Sequence, residues 1–443
     1  MEIKQNPENP ITEELPRNVI FTGRIEQAFL RWYHSFFSIA EIESSRVLQW
    51  VGGALLFTYY VSFSDLVRSN AITIQAYESN TYRCWSYFQN CGEYYFLTNL
   101  PHGYSQPILY VFFFGLMLLT VFLIWKKDWV LAHILILILF LWKFLVMFVL
   151  TSSASGNYDY YDIIFSIIFL FLPYKLFFLK LSFVLLYFLS TTIKIHEGWI
   201  LGTYFTALKT GLPIFPDSLA PLITNIVIGM QMIGAWFLLS SNKVLQRTVL
   251  VYFVCFHLYS GILVYYRYLS TALPMLLILF GPLYSPTVTP LFKKSLAGWV
   301  FISLLISWQF IPHFITGDQK MTLEGNRFGI YMFEANHQCV STPTVYLMDG
   351  TIFSQTTESA SARSRCDPYK YWFELKQNCL RHKNIARISW TFDHSINGGP
   401  FYRIVDSMNI CDLEYQTFKH NNWIKLPTDN PAVIGYPVKN VYY

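Results

Sequence analysis

Apolar residues gather in blocks along this chain, with polar residues between them. The blocks run from Arg46 to Leu66, Gln106 to Trp125, Trp129 to Leu150, Tyr160 to Leu172, Leu176 to Ile193, Ser218 to Ser240, Thr248 to Tyr266, Ser270 to Leu283 and Ser295 to Ile315. Most approach the ~20 residues of helix that cross a hydrocarbon core, so the pattern predicts a mainly α polytopic membrane bundle of about nine transmembrane helices. Two blocks are short. Pro173 ends one, and Gly281 with Pro282 ends the other, which predicts broken or tilted helices inside the bundle.

After Ile315 the period changes from helix-like to alternating. Ala386, Ile388, Trp390 and Phe392 alternate with Arg387, Ser389, Thr391 and Asp393, as a half-buried strand does. Val345 to Phe353 and Phe401 to Asp406 read as further strands, with an Asn397-Gly398 turn before the latter. Asp367 and Pro368 read as the cap and first residue of a helix carrying Tyr371, Trp372, Leu375 and Cys379 along one side. The expected domains are a cytoplasmic segment over 1–45 holding an amphipathic helix, a helix bundle over 46–315 with an external loop over 68–105, and an extracytoplasmic β-rich domain over 316–443.

Composition fits this reading. Charged residues are 13% of the 443 and hydrophobic residues 53%, where soluble domains carry about 25% charge. The opening residues lack the apolar core and cleavage site of a secretory signal, so the first spanning helix is expected to direct insertion. Arg17, Arg24, Arg31 and Arg46 place the N-terminus inside. Lys126 and Lys127, Lys175 and Lys180, Lys243 and Arg247, and Lys293 and Lys294 then fall inside as well. No basic run or stripe marks a nucleic-acid partner, and the lipid bilayer is the expected one.

This orientation puts Cys84, Cys91, Cys339, Cys366, Cys379 and Cys411 outside, with Cys255 alone in a membrane helix. Outside is oxidising, so disulfides are expected, most simply Cys84 with Cys91. The other four cysteines allow three connectivities. Neither CxxC nor HxxxH spacing occurs, so no metal is expected. The terse loops and the lack of an Asn-x-Ser/Thr sequon fit a multi-pass protein of a bacterial inner membrane with its C-terminal domain in the periplasm.

Ionisable residues at membrane depth are the candidate chemistry. Lys143 reads as a lysine snorkelling to the outer interface, and His257 as a hydrogen-bonded core histidine. Lys194 is different, because it stands at the mouth of a helix beside His196 and Glu197, with Trp199 following. A lysine desolvated there loses its proton more readily and becomes available as a base near neutral pH.

The stretch Thr192-Ile-Lys-Ile-His-Glu-Gly-Trp-Ile-Leu-Gly-Thr-Tyr204 resembles the motif of vitamin K-dependent γ-glutamyl carboxylases, a lysine followed by Asp-Trp-x-x-Gly-Tyr. Phe256-His257, Glu324-Gly-Asn-Arg-Phe328 with Met332, and Ser395-Ile-Asn-Gly-Gly399 with Ile404-Val-Asp406 resemble later elements of that family in the same order. The likeness runs from about Arg46 to Leu426 and extends to the wider group that carries a horizontally transferred transmembrane domain. It implies Lys194 as catalytic base and reduced vitamin K or menaquinol as cofactor. It also implies a quinone pocket drawing on Tyr158, His196, Glu197, Trp199, Tyr204 and His257, with Phe205 as a further wall, and a secreted or membrane-delivered peptide as substrate.

This sequence departs from the family in three places. Tyr158 stands where the family has a histidine, Gly198 where it has an aspartate, and Gly329-Ile330 where it has Ser-Trp. Two functions follow. One is a quinol-linked carboxylase-like enzyme that modifies a peptide. The other is a non-catalytic membrane scaffold or maturation factor that binds a partner protein through its external domain, in which case Lys194 is solvated and replaceable.

Overall fold

The computed structural model describes residues 24–78, 83–97, 105–149, 157–208, 210–264, 269–287, 290–315, 319–330, 335–359 and 366–425. The apolar blocks fold as helices close to their expected bounds. In chain order these are α1 (Arg24–Phe36), α2 (Ile39–Ser44), α3 (Arg46–Glu78), α4 (Ser105–Lys126), α5 (Trp129–Val149), α6 (Asn157–Phe171) and α7 (Lys175–Thr192). After the short α8 (Glu197–Ile200) and α9 (Thr203–Thr206) come α10 (Ala220–Met232), α11 (Lys243–Ile262), α12 (Leu269–Phe280), α13 (Phe292–Phe310) and α14 (Gln319–Thr322).

The expected bundle of about nine transmembrane helices is corrected. Among the described residues two helices are long and apolar enough to cross a membrane, α7 over Lys175–Thr192 and α13 with its following turn over Phe292–Phe314. The apolar stretches Val111–Lys126, Trp129–Leu145 and Leu269–Phe280 are shorter. At 1.5 Å per residue, the 15 residues of α6, 13 of α10 and 12 of α12 fall well short of a ~30 Å hydrocarbon core. The block over 218–240 is also not one helix, since α10 stops at Met232 and a 3-10 turn over Gly234–Leu239 follows. The reason is general: block hydropathy registers apolar surface to be buried, and helix packed on helix satisfies that as well as lipid does. α7 is 72% buried inside the fold and α13 only 28%, so α7 is the central helix and α13 lies at the periphery.

Two further expectations change. α3 continues to Glu78, past the expected end at Leu66, into the region read as loop. Lys143 does not snorkel; its ammonium pairs with Asp162, lies 3.3 Å from Asp159 and donates to Ser62 at 3.0 Å. The amphipathic helix near the N-terminus is α1, which buries Leu30 and Tyr33 and exposes Phe29, Trp32 and Phe36.

The C-terminal part is an antiparallel sheet with one helix. β1 (His337–Leu347), β2 (Ile352–Ser354), β3 (Thr357–Ser359), β4 (Ile385–Ile396) and β5 (Tyr402–Ser407) run in the order β2-β1-β4-β5, and β3 also pairs with β1. In the middle of β4 the alternation is as expected, with Ile388, Trp390 and Phe392 fully buried, but Ala386 is exposed and Asp393, expected to face outward, is buried and paired with Arg403. Val345 to Phe353 is a hairpin and not one strand. Gly350 has φ +87° and the Asp349 carboxylate accepts the Thr351 N–H, a turn that the hydropathy of its flanks hides. Pro343 is tolerated inside β1 because β2 pairs with 344–346 and β3 with 339–341, leaving it between the two. α15 (Pro368–Arg381) starts as expected, Asp367 accepting the Tyr369 N–H and Pro368 filling the first position.

All six expected cysteines pair, as Cys84–Cys91, Cys339–Cys366 and Cys379–Cys411, and Cys255 is free. The Cys84–Cys91 segment belongs to the sheet domain's core. Tyr369 donates its hydroxyl to Cys84 O at 3.1 Å, Gln89 donates to Tyr415 O at 3.1 Å, and Arg83 pairs with Glu374 at 2.9 Å.

Candidate functional site

Lys194 lies two residues beyond the end of α7, held by its N–H to Thr191 O at 2.8 Å. The turn folds its side chain inward, where it is 5% exposed. Nζ donates to Gln231 Oε1 on α10 at 2.8 Å and stands 5.0 Å from the Trp199 ring. Thr191 donates to the same Gln231 oxygen at 2.7 Å, which fixes that amide. Burial, with no compensating carboxylate among the described residues, lowers the Lys194 ammonium from 10.5 to about 7, so the neutral amine is populated at neutral pH.

The amine borders a cavity of about 360 Å³. Its lining includes Tyr161 and Tyr187, Trp199 and Phe205, and Tyr252 and Tyr259 of α11. His257 also lines it. Its Nε2 is hydrogen-bonded to the Tyr187 hydroxyl, and its Nδ1 is buried with no hydrogen-bond partner among the described residues. Tyr187 stacks on Phe253 with ring centroids 4.3 Å apart, which sets the hydroxyl toward the histidine. The interior is therefore a largely aromatic chamber whose polar groups are the Lys194 amine, the Gln231 amide, the His257 imidazole and the hydroxyls of its tyrosines and of Ser190, Thr224 and Ser260, the composition of a site for a largely apolar ligand.

Of the residues expected from sequence, Lys194, Trp199, Phe205 and His257 meet at this cavity. Tyr204 stands behind it, stacked on Trp199 at 5.1 Å and buried. His196 caps α8, its Nδ1 accepting the Gly198 N–H at 3.1 Å, and Glu197 is on the exposed side; neither lines the cavity. Tyr158 belongs to α6, and its side chain lies outside the described residues. Sequence reading missed Gln231, Tyr187 and Tyr161. A glutamine and two tyrosines inside apolar helices were the available signal, since a buried polar group needs a partner.

The sheet domain presses on this loop. Asn336 donates its amide to Tyr204 O, and its backbone exchanges hydrogen bonds with Asn397 at 2.9 Å each way. Asn397 and Gly398 both have positive φ, 51° and 70°, at the centre of the turn expected from their sequence, closed by the Gly399 N–H donating to Ile396 O at 3.0 Å. A Cβ at Gly198 would collide with the Asn397 amide and the His196 ring. Gly202 has φ +72°, and a Cβ there would stand 2.7 Å from Pro221 N, so the loop requires glycine at both positions.

Of the remaining family-like elements, Met332 lies outside the described residues, while Glu324, Phe328 and Ser395 make contacts within the fold. The Glu324 carboxylate accepts from His420 and from the backbone and side-chain N–H groups of Asn421, each at 2.8 Å. Burial raises its carboxyl group above the ordinary range. Phe328 stacks on Phe418 at 4.7 Å. Ser395 closes the β4–β5 turn by donating to Gly399 O at 2.7 Å. No group of three or more metal-ligating residues occurs among the described residues. No family model matches this chain, and neither a curated protein nor a solved structure is significantly similar to it.

Proposed function

We propose that the protein is a membrane-embedded, quinol-linked enzyme of the vitamin K-dependent carboxylase-like kind, with Lys194 as its base. One observation carries the reading: a lysine with no carboxylate partner among the described residues is buried in an aromatic cavity at the end of the central helix. A structural lysine gains nothing from such a place, because desolvation works against its charge.

The cavity's residues fit a reduced naphthoquinone ring. The wall is aromatic, the volume of about 360 Å³ is at the small end of ligand sites, and His257 has a buried nitrogen to spare. Such a quinol, when bound, supplies an acidic ring hydroxyl and a reducing equivalent for oxygen. Lys194 takes the hydroxyl proton on its lone pair. Gln231 holds the amine in place, and the Trp199 face favours the ammonium that results. With the Tyr187 hydroxyl donating to Nε2, His257 carries its proton on Nδ1 and offers it to a ligand oxygen. The apolar lining keeps water from the amine.

The helical body is multi-pass in this reading, with its exposed apolar faces in lipid, and the disulfide-bonded sheet domain stands on the oxidising, periplasmic side. A maturation factor that binds a partner peptide is the second reading. It is favoured by Gly198, where the family aspartate would stand: the Asn397 turn fills the space a side chain needs.

The test is oxygen-dependent consumption of reduced vitamin K or menaquinol by the protein in lipid nanodiscs. Turnover by the native chain and its loss in Lys194→Ala, with unchanged thermal stability of the sheet domain, supports the enzyme. Equal turnover in both proteins removes Lys194 as the base. Absence of turnover with retained capture of a peptide by the sheet domain favours the maturation factor.

A further inference from the structure

The cavity has a mouth as well as a wall. Ile226 of α10 and Cys255 of α11 both line it, and both are exposed on the outer face of the helical body, Ile226 by 44%. The outer surface around them is apolar, with Leu222, Val251, Leu258 and Ile262 exposed. α10 and α11 each pack on the 234–239 turn, and both then contribute to the cavity wall. The lining of the chamber at Lys194 thus includes side chains that are also part of an apolar outer surface.

Volume decides what fits inside. A cavity of about 360 Å³ is at the small end of ligand sites, so it suits a ring head better than a head together with a long hydrocarbon chain. A chain left in water would cost about 0.8 kcal/mol per methylene, so a tailed ligand needs an apolar exit for its tail. Ile226 and Cys255 line the cavity and are themselves exposed.

We propose that the opening between Ile226 and Cys255 is a lateral portal. Through it an amphiphile enters from the hydrocarbon layer, setting its aromatic head against Lys194 and His257 and leaving its tail in the opening and the lipid beyond. The proposal rests on the quinol reading for the identity of the head. It adds the route, the tail and the residues that select for it.

Six of the seven cysteines are in disulfides, so Cys255 is the single thiol available for labelling. A nitroxide on Cys255 in nanodiscs is expected to relax with oxygen, which concentrates in lipid, more than with a water-soluble nickel chelate. Dominance of the nickel chelate overturns the portal whether or not any quinone binds. In the second arm, Ile226→Trp narrows the opening, and binding of menaquinone-4 and of tailless menadione is measured by equilibrium dialysis. The tailed compound is expected to weaken by about tenfold while menadione holds to within about threefold. Equal weakening of both, or of neither, overturns the portal. Failure of the native protein to bind either compound overturns the quinol reading and the assigned head, while the nitroxide still reports whether the mouth faces lipid.

Discussion

Neutral Lys194 is the premise of the proposed chemistry, and its protonation is directly measurable. Moving a lysine from 10.5 to about 7 corresponds to about 5 kcal/mol in favour of the neutral form. The unfolded chain keeps the ordinary value, so between about pH 7 and 10.5 it binds a proton that the folded chain does not. Stability therefore rises with pH across that window. Below about pH 7 both states carry the proton and the folded protein bears the full desolvation cost. Lys194→Met fills a similar volume without a charge and removes this slope. Reductive ¹³C-methylation followed by NMR titration reads the group itself: the resonance lost in Lys194→Met is expected to titrate near pH 7, well below the solvated lysines. Thermal unfolding between pH 6.5 and 9 is expected to show a rising midpoint in the native protein and a flatter one in the variant. A Lys194 resonance titrating above about pH 9, or equal slopes in both proteins, refutes the reasoning.

Three other perturbations test the fold around the site. Lys143→Met leaves Asp159 and Asp162 buried without their cation and is expected to destabilise by about 3–5 kcal/mol in denaturant titration, with part recovered by adding Asp162→Asn. Gly198→Ala drives a methyl into Asn397 and His196; a loss of about 1–3 kcal/mol is expected, and adding Asn397→Gly, which suits the positive φ there, recovers part of it in the same thermal assay. The intact protein is expected to gain six hydrogens in mass on reduction, and Cys379→Ser to cost about 2–5 kcal/mol, measured as a fall in the unfolding midpoint.

Several parts of the site were legible because they are local. Asp367-Pro368 starts a helix through its own side chain and ring, Asn397-Gly398 turns because both residues accept positive φ, and β4 alternates because a pleated strand does. Cys84 and Cys91 are seven apart and pair with each other. The partners of Cys339 and Cys379 were not legible, since they depend on where β1, α15 and the 410–412 turn meet in space. His196 and Glu197 stand beside Lys194 in the motif, which places them in the expected quinone pocket. A tight turn sends neighbouring side chains in different directions, and theirs miss the cavity.

The sequence alone determined where helices form, where the pattern turns to strands, and that Lys194, Trp199 and His257 are unusual residues for their surroundings. Hydropathy and turn chemistry act within a few residues, and that is the range over which they are informative. The tertiary structure decided which apolar helices pack on one another, that Lys143 has two carboxylate partners, and that Gln231 and Tyr187 complete the chamber around Lys194. Apolar burial has no direction, so a block of hydropathy cannot say whether protein or lipid covers it. A buried polar group is directional, and its partner, remote in sequence, is fixed only when the helices are packed.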